Sequence, residues 1–229
     1  MRVLDTVPLT PLADQIADVD RSGDWTQTWT GRRFWPLEPK PGDFCLEDIA
    51  MGLSNECRFG GQARFYSVAQ HSLMVMHFVD LDTRGAADGT PEGYNRWVAM
   101  AWALIHDAAE AYMKDIPRPH KKWWGAYVPA EIYVQEQIAK RFGLPVFSGD
   151  AYPMPEIVKD ADNDALRTEA GLLYPPERLS LWTDLPGRDR AMELPASMYD
   201  ARRLTFTRMT PEEGMDRYLA AFKKVLGDL

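Results

Sequence analysis

Apolar residues recur at intervals of three and four along most of the chain after residue 43, and this spacing puts them on one face of successive α-helices. Prolines and glycines interrupt the pattern, and proline excludes the helical conformation from the residue before it. The pattern predicts an all-α fold, a mainly helical bundle. The predicted helices cover residues 43–57, 68–79, 94–113, 130–142, 156–173 and 211–226.

The residues before the first predicted helix, 1–42, form an N-terminal extension. Within it Trp25 and Trp29 alternate with polar residues, which is typical of a short strand, and we expect a small β hairpin with the residues that precede it. The helical core is assigned to residues 43–175. Residues 176–229 form a C-terminal extension that is rich in Pro and Gly, ends in a helix and packs on the core. The whole chain is predicted to be a single domain.

Composition excludes some classes of partner. The 229 residues carry a formal net charge of -8, which argues against a broad nucleic-acid interface, because such interfaces need clustered Lys and Arg. A small phosphorylated ligand is compatible with this charge. No apolar run approaches the roughly 20 residues that a membrane span needs, and Cys45 and Cys57 do not form a metal or disulfide motif. The sequence therefore predicts a cytoplasmic protein with reduced thiols and no membrane or nucleic-acid polymer as partner.

Four polar residues stand inside the apolar helical stretches: His71, the adjacent pair His106 and Asp107, and Asp162. Burying an ionised carboxylate among Ala, Leu and Ile is unfavourable unless it is paired or coordinated. Two imidazoles and two carboxylates form a mixed nitrogen and oxygen donor set that suits a divalent transition metal such as Zn, Co, Mn, Ni or Fe. A metal held in this way can activate water and polarise a phosphoryl oxygen. The alternative interpretation is that these residues are solvated or salt-bridged on helix faces.

Three further carboxylates lie near these residues in sequence. Glu110 follows His106 by four positions, so we expect it on the same helix face, where it could orient or deprotonate a water molecule. Asp115 lies just past the predicted helix end, where it could reach the same pocket or serve as a turn residue. Glu169 shares a predicted face with Asp162, and a salt bridge to Arg or Lys is its expected role.

The segments that carry these residues resemble the HD-domain metal-dependent phosphohydrolases, whose signature is a histidine, a His-Asp pair and a later aspartate. Within that superfamily the chain is most similar to the small 5'-deoxynucleotidase-like group and its bacteriophage relatives, which include dATP triphosphohydrolases. The similarity extends over residues 45 to 173. The matching segments are Tyr66–Ser72, Ala103–Glu110, Asp115–Pro119 and Val158–Asp162.

The resemblance implies an all-helical bundle with a metal at its centre. The metal ligands that it implies are His71, His106, Asp107 and Asp162. Glu110 and Asp115 would position or activate the attacking water. Arg58 and Phe59 stand where the nucleotidases have an Arg-Trp pair near the sugar and phosphate, so the resemblance implies substrate binding for both, with Phe in place of Trp. Gln70 stands where the nucleotidases usually have Glu.

The predicted function is hydrolysis of a small deoxynucleotide with the help of a metal, releasing phosphate or polyphosphate from a mono- or triphosphate. The sequence leaves open which of these substrates is used and which base is preferred. Many members of the family assemble, so a homo-oligomer is expected. One alternative is a catalytically silent HD-type module that binds a nucleotide to regulate. Another is a purely structural helical protein in which the polar residues form a buried network.

Overall fold

The computed structural model describes residues 21–87, 91–147, 153–200 and 205–226. Residues 1–20 of the predicted N-terminal extension lie outside this part. The predicted mainly helical fold is confirmed. The helices are α1 (Leu46–Asn55), α2 (Val68–Asp82), α3 (Pro91–Ile105), α4 (Glu110–Met113), α5 (Arg118–Lys121), α6 (Tyr127–Arg141), α7 (Glu156–Leu173), α8 (Pro176–Leu179) and α9 (Pro211–Leu226). The strands are β1 (Thr26–Gln27) paired with β2 (Arg33–Phe34), and β3 (Tyr199–Asp200) paired with β4 (Thr205–Phe206).

The small hairpin near the N-terminus is confirmed, and in it strand β1 pairs antiparallel with β2, which follows it. The expected partner before β1 falls mainly on residues 1–20, which lie outside the described residues. Gly31 lies between the two strands with a positive φ of 87°, a conformation that glycine adopts without strain. The Thr28 N–H donates to the Arg32 carbonyl at 2.9 Å and closes the turn.

Helix α2 begins with a capping box. The Ser67 hydroxyl accepts the Gln70 N–H at 3.2 Å, and the Gln70 side-chain oxygen accepts the Ser67 N–H at 3.2 Å. The side-chain amide of Gln70 also donates to the Thr207 carbonyl at 3.3 Å. A glutamate could complete the same box, but its carboxylate could not donate to Thr207. The glutamine at this position therefore joins the start of α2 to the segment before α9.

The helices bury one apolar core. Helix α2 packs against both α3 and α7, and α9 packs against α1. A Cβ atom on Gly214 would lie 2.9 Å from the Ser54 Oγ, so a larger residue there would force the Ser54 side chain to move. Among the described residues, no helix combines the length and the apolar character that crossing a membrane requires. The core includes Ile49, Leu53, Val75, Phe78, Val79, Trp102, Leu104, Ile105, Ile138, Ala165, Tyr218 and Phe222.

The predicted helix over residues 94–113 is interrupted, because α3 ends at Ile105 and α4 begins at Glu110. Residues His106–Ala109 form tight turns instead, in which the Ala108 N–H donates to the Ile105 carbonyl at 2.8 Å. The prediction that the His-Asp pair lies within a helix is therefore wrong. We call this four-residue segment, His106–Ala109, the HD turn.

Side chains from two distant helices bind the backbone on either side of the HD turn. Tyr218 of α9 donates its hydroxyl to the Leu104 carbonyl at 2.6 Å. Gln135 of α6 donates its side-chain amide to the Ile105 carbonyl at 2.6 Å, and its amide oxygen accepts the Ala109 N–H at 3.1 Å. A helix end leaves carbonyl groups without intrahelical partners, so these buried bonds offset the early end of α3.

Polar contacts bind part of the C-terminal extension to the helices. The Arg190 guanidinium donates to both carboxylate oxygens of Asp82 at 2.8 and 2.9 Å, which ties the extension to the last turn of α2. Gly187 has a positive φ of 79° and lies so close to α7 that a Cβ there would overlap the backbone of Asn163 and Asp164. The domain boundaries at residues 43 and 176 stay predictions.

Candidate metal centre

Four side chains from three parts of the bundle converge at one point. His71 lies in α2, His106 and Asp107 lie in the HD turn, and Asp162 lies in α7. The Nε2 atoms of the two histidines are 3.1 Å apart, and the Asp162 Oδ1 is 3.2 Å from the His71 Nε2. Donor atoms of His71, His106 and Asp162 all lie within 4.8 Å of one another, so this group could bind a metal ion. The Asp107 Oδ2 lies beside the group, 3.3 Å from the Nε2 of His106 and 3.5 Å from that of His71.

The second ring nitrogen of each histidine determines what its Nε2 presents to the site. The His106 Nδ1 is 2.8 Å from the Ala103 carbonyl, which can only accept, so this Nδ1 carries a proton. The His71 Nδ1 is 2.6 Å from the Glu169 Oε1, which also accepts. In the neutral rings both Nε2 atoms therefore present lone pairs to each other and to the aspartate oxygens. Acceptors that face one point need a cation, and this set fits a metal held by imidazole and carboxylate.

The charges around the site shift the pKa values of its groups in opposite directions. Burial and the Arg58 guanidinium would lower the pKa of His71, but Glu169 and Asp162 raise it to about 9. A proton on this ring supplies the positive charge that the acceptors require, and a metal ion would replace it. Burial would raise the pKa of Asp107, but the two histidines hold it below its usual range. Burial is likewise outweighed at Asp162, whose pKa is lowered by the hydrogen bond to His71 and by a nearby lysine.

A buried ion pair adjoins the four side chains. Arg58 donates its Nε–H to the Glu169 Oε2 at 3.0 Å, which is the salt bridge expected of Glu169, and its Nη1 lies 3.6 Å from the Asp107 Oδ2. Burial would lower the pKa of the guanidinium, but the charges of Glu169 and Asp107 raise it. Lys159 donates to the second oxygen of Asp162 at 2.6 Å. Asp107, Asp162 and Glu169 thus each have a basic side chain nearby.

Glu110 begins α4 directly after the HD turn and is buried. Its Oε2 has no hydrogen-bond partner among the described residues. Burial raises the pKa of this carboxyl well above its ordinary value, and the negative charges of Asp107 and Asp115 raise it further. The Arg58 charge, and then the Lys121 charge, oppose this rise in the pKa. The Lys121 ammonium group itself donates to Glu131 at 2.8 Å. A buried carboxyl group with a raised pKa and an oxygen that accepts no bond is suited to proton transfer.

Asp115 lies on a segment that Glu56 holds in place. Glu56 accepts hydrogen bonds from the Lys114 ammonium group at 3.0 Å and from the Asp115 N–H at 3.3 Å. Lys114 has a φ of 79°, which turns the chain after α4. Burial raises the pKa of the Asp115 carboxyl, and the nearby Arg58 charge opposes this rise. The negative charge of Asp107 also raises the pKa of this carboxyl. The role of Asp115 toward water stays a prediction.

Phe59 lies in a tight turn next to Arg58 and has a φ of 58°. Its ring contacts Tyr174 edge to face, with centroids 5.6 Å apart, and lies 6.1 Å from the Trp182 ring. The Arg58 guanidinium carbon is 5.7 Å from the centroid of the Phe59 ring. The structure thus places Phe59 between Arg58 and the C-terminal extension. Its contact with a substrate stays a prediction.

Sequence reasoning missed two residues that hold the site, Lys159 and Gln135, and one of the two bonds of Glu169. Lys159 precedes Asp162 by three positions in α7, so helical spacing alone could have indicated their pairing. Glu169 was expected to pair with a basic residue, but its second bond, to His71, was not foreseen. Gln135 carries no signal in the sequence, because its partners, Ile105 and Ala109, lie at the two ends of the HD turn, far away along the chain.

The amino-acid sequence is similar to those of known bacterial proteins. It is 35% identical to YfdR of Escherichia coli K12 over 144 residues, which are 62% of this chain and 68% of YfdR. It is also 35% identical over 150 residues to a protein of Rhodobacter capsulatus, covering 64% of this chain and 71% of that protein. Both relatives are described as uncharacterized proteins. No protein-family model matches the chain. The fold is mainly helical, with a cluster of two buried histidines and two partly buried aspartates. The chain belongs to the family of YfdR.

Proposed function

We propose that this protein is an HD-domain metal-dependent phosphohydrolase that removes phosphate or polyphosphate from small deoxynucleotides. The convergence of two imidazole Nε2 atoms and two aspartates beside a partly buried arginine carries this proposal. The donor set favours a divalent transition metal, namely Zn, Co, Mn, Ni or Fe. The choice of deoxynucleotides rests on the resemblance to the 5'-deoxynucleotidase-like group and its bacteriophage relatives.

The geometry of the site suggests a separate role for each of its residues. A cation held by His71, His106, Asp107 and Asp162 would lower the pKa of a water molecule and polarise a phosphoryl oxygen. Arg58 would bind phosphate oxygens through its terminal N–H groups, because its Nε–H is already bonded to Glu169. Phe59 would lie beside the sugar.

Glu110 would accept the proton of the attacking water through the oxygen that has no other partner among the described residues. Its raised pKa makes it a stronger base once it is ionised. Asp115 would be the second acceptor, since Arg58 and Asp107 influence its carboxyl group. The buried position of Glu110 would also keep bulk solvent from competing for that proton.

The test is a product screen. Purified protein is loaded in turn with Co, Mn, Zn, Ni and Fe, and is incubated with a panel of deoxynucleoside mono- and triphosphates. Release of phosphate from a monophosphate, or of a polyphosphate from a triphosphate, is the expected result and separates the two substrate classes. His106→Ala and Asp107→Ala should abolish release while the circular dichroism spectrum is unchanged.

A matched control is His77→Ala, which removes another imidazole of α2 whose Nε2 bonds to the Glu193 carbonyl away from the site. This variant should keep its activity. Folded His106→Ala and Asp107→Ala proteins with full activity would contradict the proposal. Metal and nucleotide binding without any product would instead support a catalytically silent binding or regulatory module. Failure to bind any of the five metals would support a structural network.

We also propose an oligomeric state, a compartment and a class of partner for this protein. We expect a homo-oligomer in the cytoplasm that has small nucleotides and no nucleic-acid polymer as partners. Light scattering on the purified protein tests the oligomeric state, and a gel-shift assay tests binding to DNA and RNA.

A further inference from the structure

Glu169 is a fully buried carboxylate of α7 that is bonded to two parts of the proposed site at once. Its Oε1 accepts from the His71 Nδ1 at 2.6 Å, and its Oε2 accepts from the Arg58 Nε at 3.0 Å. One bond therefore leads to a metal-binding imidazole and the other to the guanidinium proposed to hold phosphate. We propose that Glu169 is a positioning residue that couples metal binding to phosphate binding. This inference rests on the proposed function.

The bond to His71 acts on the metal side. It keeps the proton on Nδ1, so that the Nε2 lone pair faces His106 at 3.1 Å and Asp162 at 3.2 Å. It also makes the imidazole a stronger donor, because the carboxylate stabilises positive charge on the ring. Without this acceptor, the His71 ring loses the contact that selects one tautomer and one orientation.

The bond to Arg58 acts on the phosphate side. Because the Nε–H points at Glu169, the terminal nitrogens project toward the metal-binding residues, where Nη1 lies 3.6 Å from the Asp107 Oδ2. If Glu169 were neutral, Asp107 would be the nearest carboxylate left to the guanidinium, and a full ion pair between them would withdraw Asp107 from a cation. Glu169 thus holds Arg58 close to the site without letting it occupy a ligand.

The geometry explains why one residue serves both roles. The partners come from the loop before α2 and from α2 itself, and Glu169 reaches both from α7 with one oxygen each. A shift of either partner therefore moves the carboxylate that the other depends on. Phosphate that pulls on Arg58 acts on His71 through this single group, and metal that fixes His71 orients Arg58.

The test measures binding, not turnover. Calorimetry gives the affinity of the metal-free protein for Co²⁺ and the affinity of the Co²⁺-saturated protein for inorganic phosphate. Glu169→Gln should weaken Co²⁺ binding about 10- to 100-fold, and at saturating Co²⁺ it should also weaken phosphate binding. In the metal-free protein, imidazole ¹⁵N spectra should lose the strongly hydrogen-bonded Nδ1–H signal of His71, while that of His106 persists.

Glu156→Gln is the matched control, because it makes the same chemical change on the exposed first turn of the same helix. It should leave both affinities unchanged. If Glu169→Gln does not fold, Glu169→Asp keeps the charge but shortens the side chain so that it cannot span both partners, and the same two losses are expected.

A folded variant whose Co²⁺ affinity is within about threefold of the unaltered protein would overturn the coupling, and so would an unchanged phosphate affinity at saturating Co²⁺. These readouts are independent of catalysis. If the unaltered protein binds Co²⁺ and phosphate, loses both affinities in Glu169→Gln and hydrolyses no nucleotide, the coupling stands and the proposed function fails. If the unaltered protein binds no Co²⁺, both fail.

Discussion

Removal of the Gln135 side-chain amide tests how the HD turn is held. Gln135 is buried in α6, donates to the Ile105 carbonyl at 2.6 Å and accepts the Ala109 N–H at 3.1 Å. Gln135→Met keeps the length and approximate volume of the side chain and removes both bonding groups. The variant thus isolates the two hydrogen bonds from the packing.

The two lost bonds differ in their consequence. The Ala109 N–H loses its acceptor in a buried place, which costs about 1–3 kcal/mol. The Ile105 carbonyl still accepts the Ala108 N–H at 2.8 Å, so the second loss is the net value of one hydrogen bond, about 1 kcal/mol. The sum is about 3 kcal/mol of unfolding free energy, which corresponds to a fall in Tm of about 6–12 °C for a domain of this size.

Urea denaturation and calorimetry of the metal-free protein measure this loss. Glu136→Met is the control on the same helix, since the Glu136 side chain is partly exposed and its ion pair with Lys140 spans 4.0 Å. That change should stay within about 0.5 kcal/mol. A Gln135→Met protein as stable as the control would refute the view that Gln135 holds the turn.

Three further predictions concern other parts of the molecule. Gly187→Ala should lower the unfolding free energy measured by urea denaturation by about 2–4 kcal/mol, because the new methyl group overlaps the Asn163 backbone and φ is 79°. Gly85→Ala is the control, since Gly85 has a φ of 97° but open space around it, and it should cost about 1 kcal/mol. Equal losses in the two variants would contradict the overlap. Cys45 should resist iodoacetamide at pH 8 in the folded protein and react in urea, as mass spectrometry can follow, because burial and then the Asp48 charge raise its pKa from 9.0 to about 12. The protonated thiol therefore favours the folded state below about pH 9, and this stabilisation is lost as the pH rises toward 12. Rapid alkylation of Cys45 in the folded protein would contradict this prediction. A chelator should lower the Tm of metal-loaded protein, and Co²⁺ at a hundred times its Kd should restore about 2.7 kcal/mol of unfolding free energy. A Tm that does not change on addition of chelator or Co²⁺ would exclude a metal bound to the folded state.

Local signals in the sequence predicted much of the fold. The range 156–173 matches α7, because prolines flank the apolar pattern on both sides. The helix predicted over residues 211–226 begins with a capping box, in which the Thr210 N–H donates to Glu213 at 2.9 Å and the Glu213 N–H donates to the Thr210 hydroxyl at 3.2 Å. Such signals depend on residues within one turn of each other, so the sequence is sufficient to reveal them.

The break between α3 and α4 depends on distant residues instead. The apolar spacing continues through the HD turn, so periodicity predicts an unbroken helix. Gln135 and Tyr218 bind the carbonyls at that break from 30 and 114 positions away. Likewise the His71 bond to Glu169 joins residues 98 positions apart. Residue types and order predicted which side chains meet at the candidate site, whereas the polar contacts that orient them follow from tertiary packing.

The bond from Tyr218 to Leu104 has a consequence for biosynthesis. Leu104 leaves the ribosome long before Tyr218, since 114 positions separate them. Until α9 emerges, the Leu104 carbonyl lacks the hydroxyl that it accepts in the finished fold, and α1 lacks the helix that packs on it. A nascent chain that already contains both histidines therefore still has an unfinished pocket. Completion of this part of the fold therefore waits until translation has passed α9.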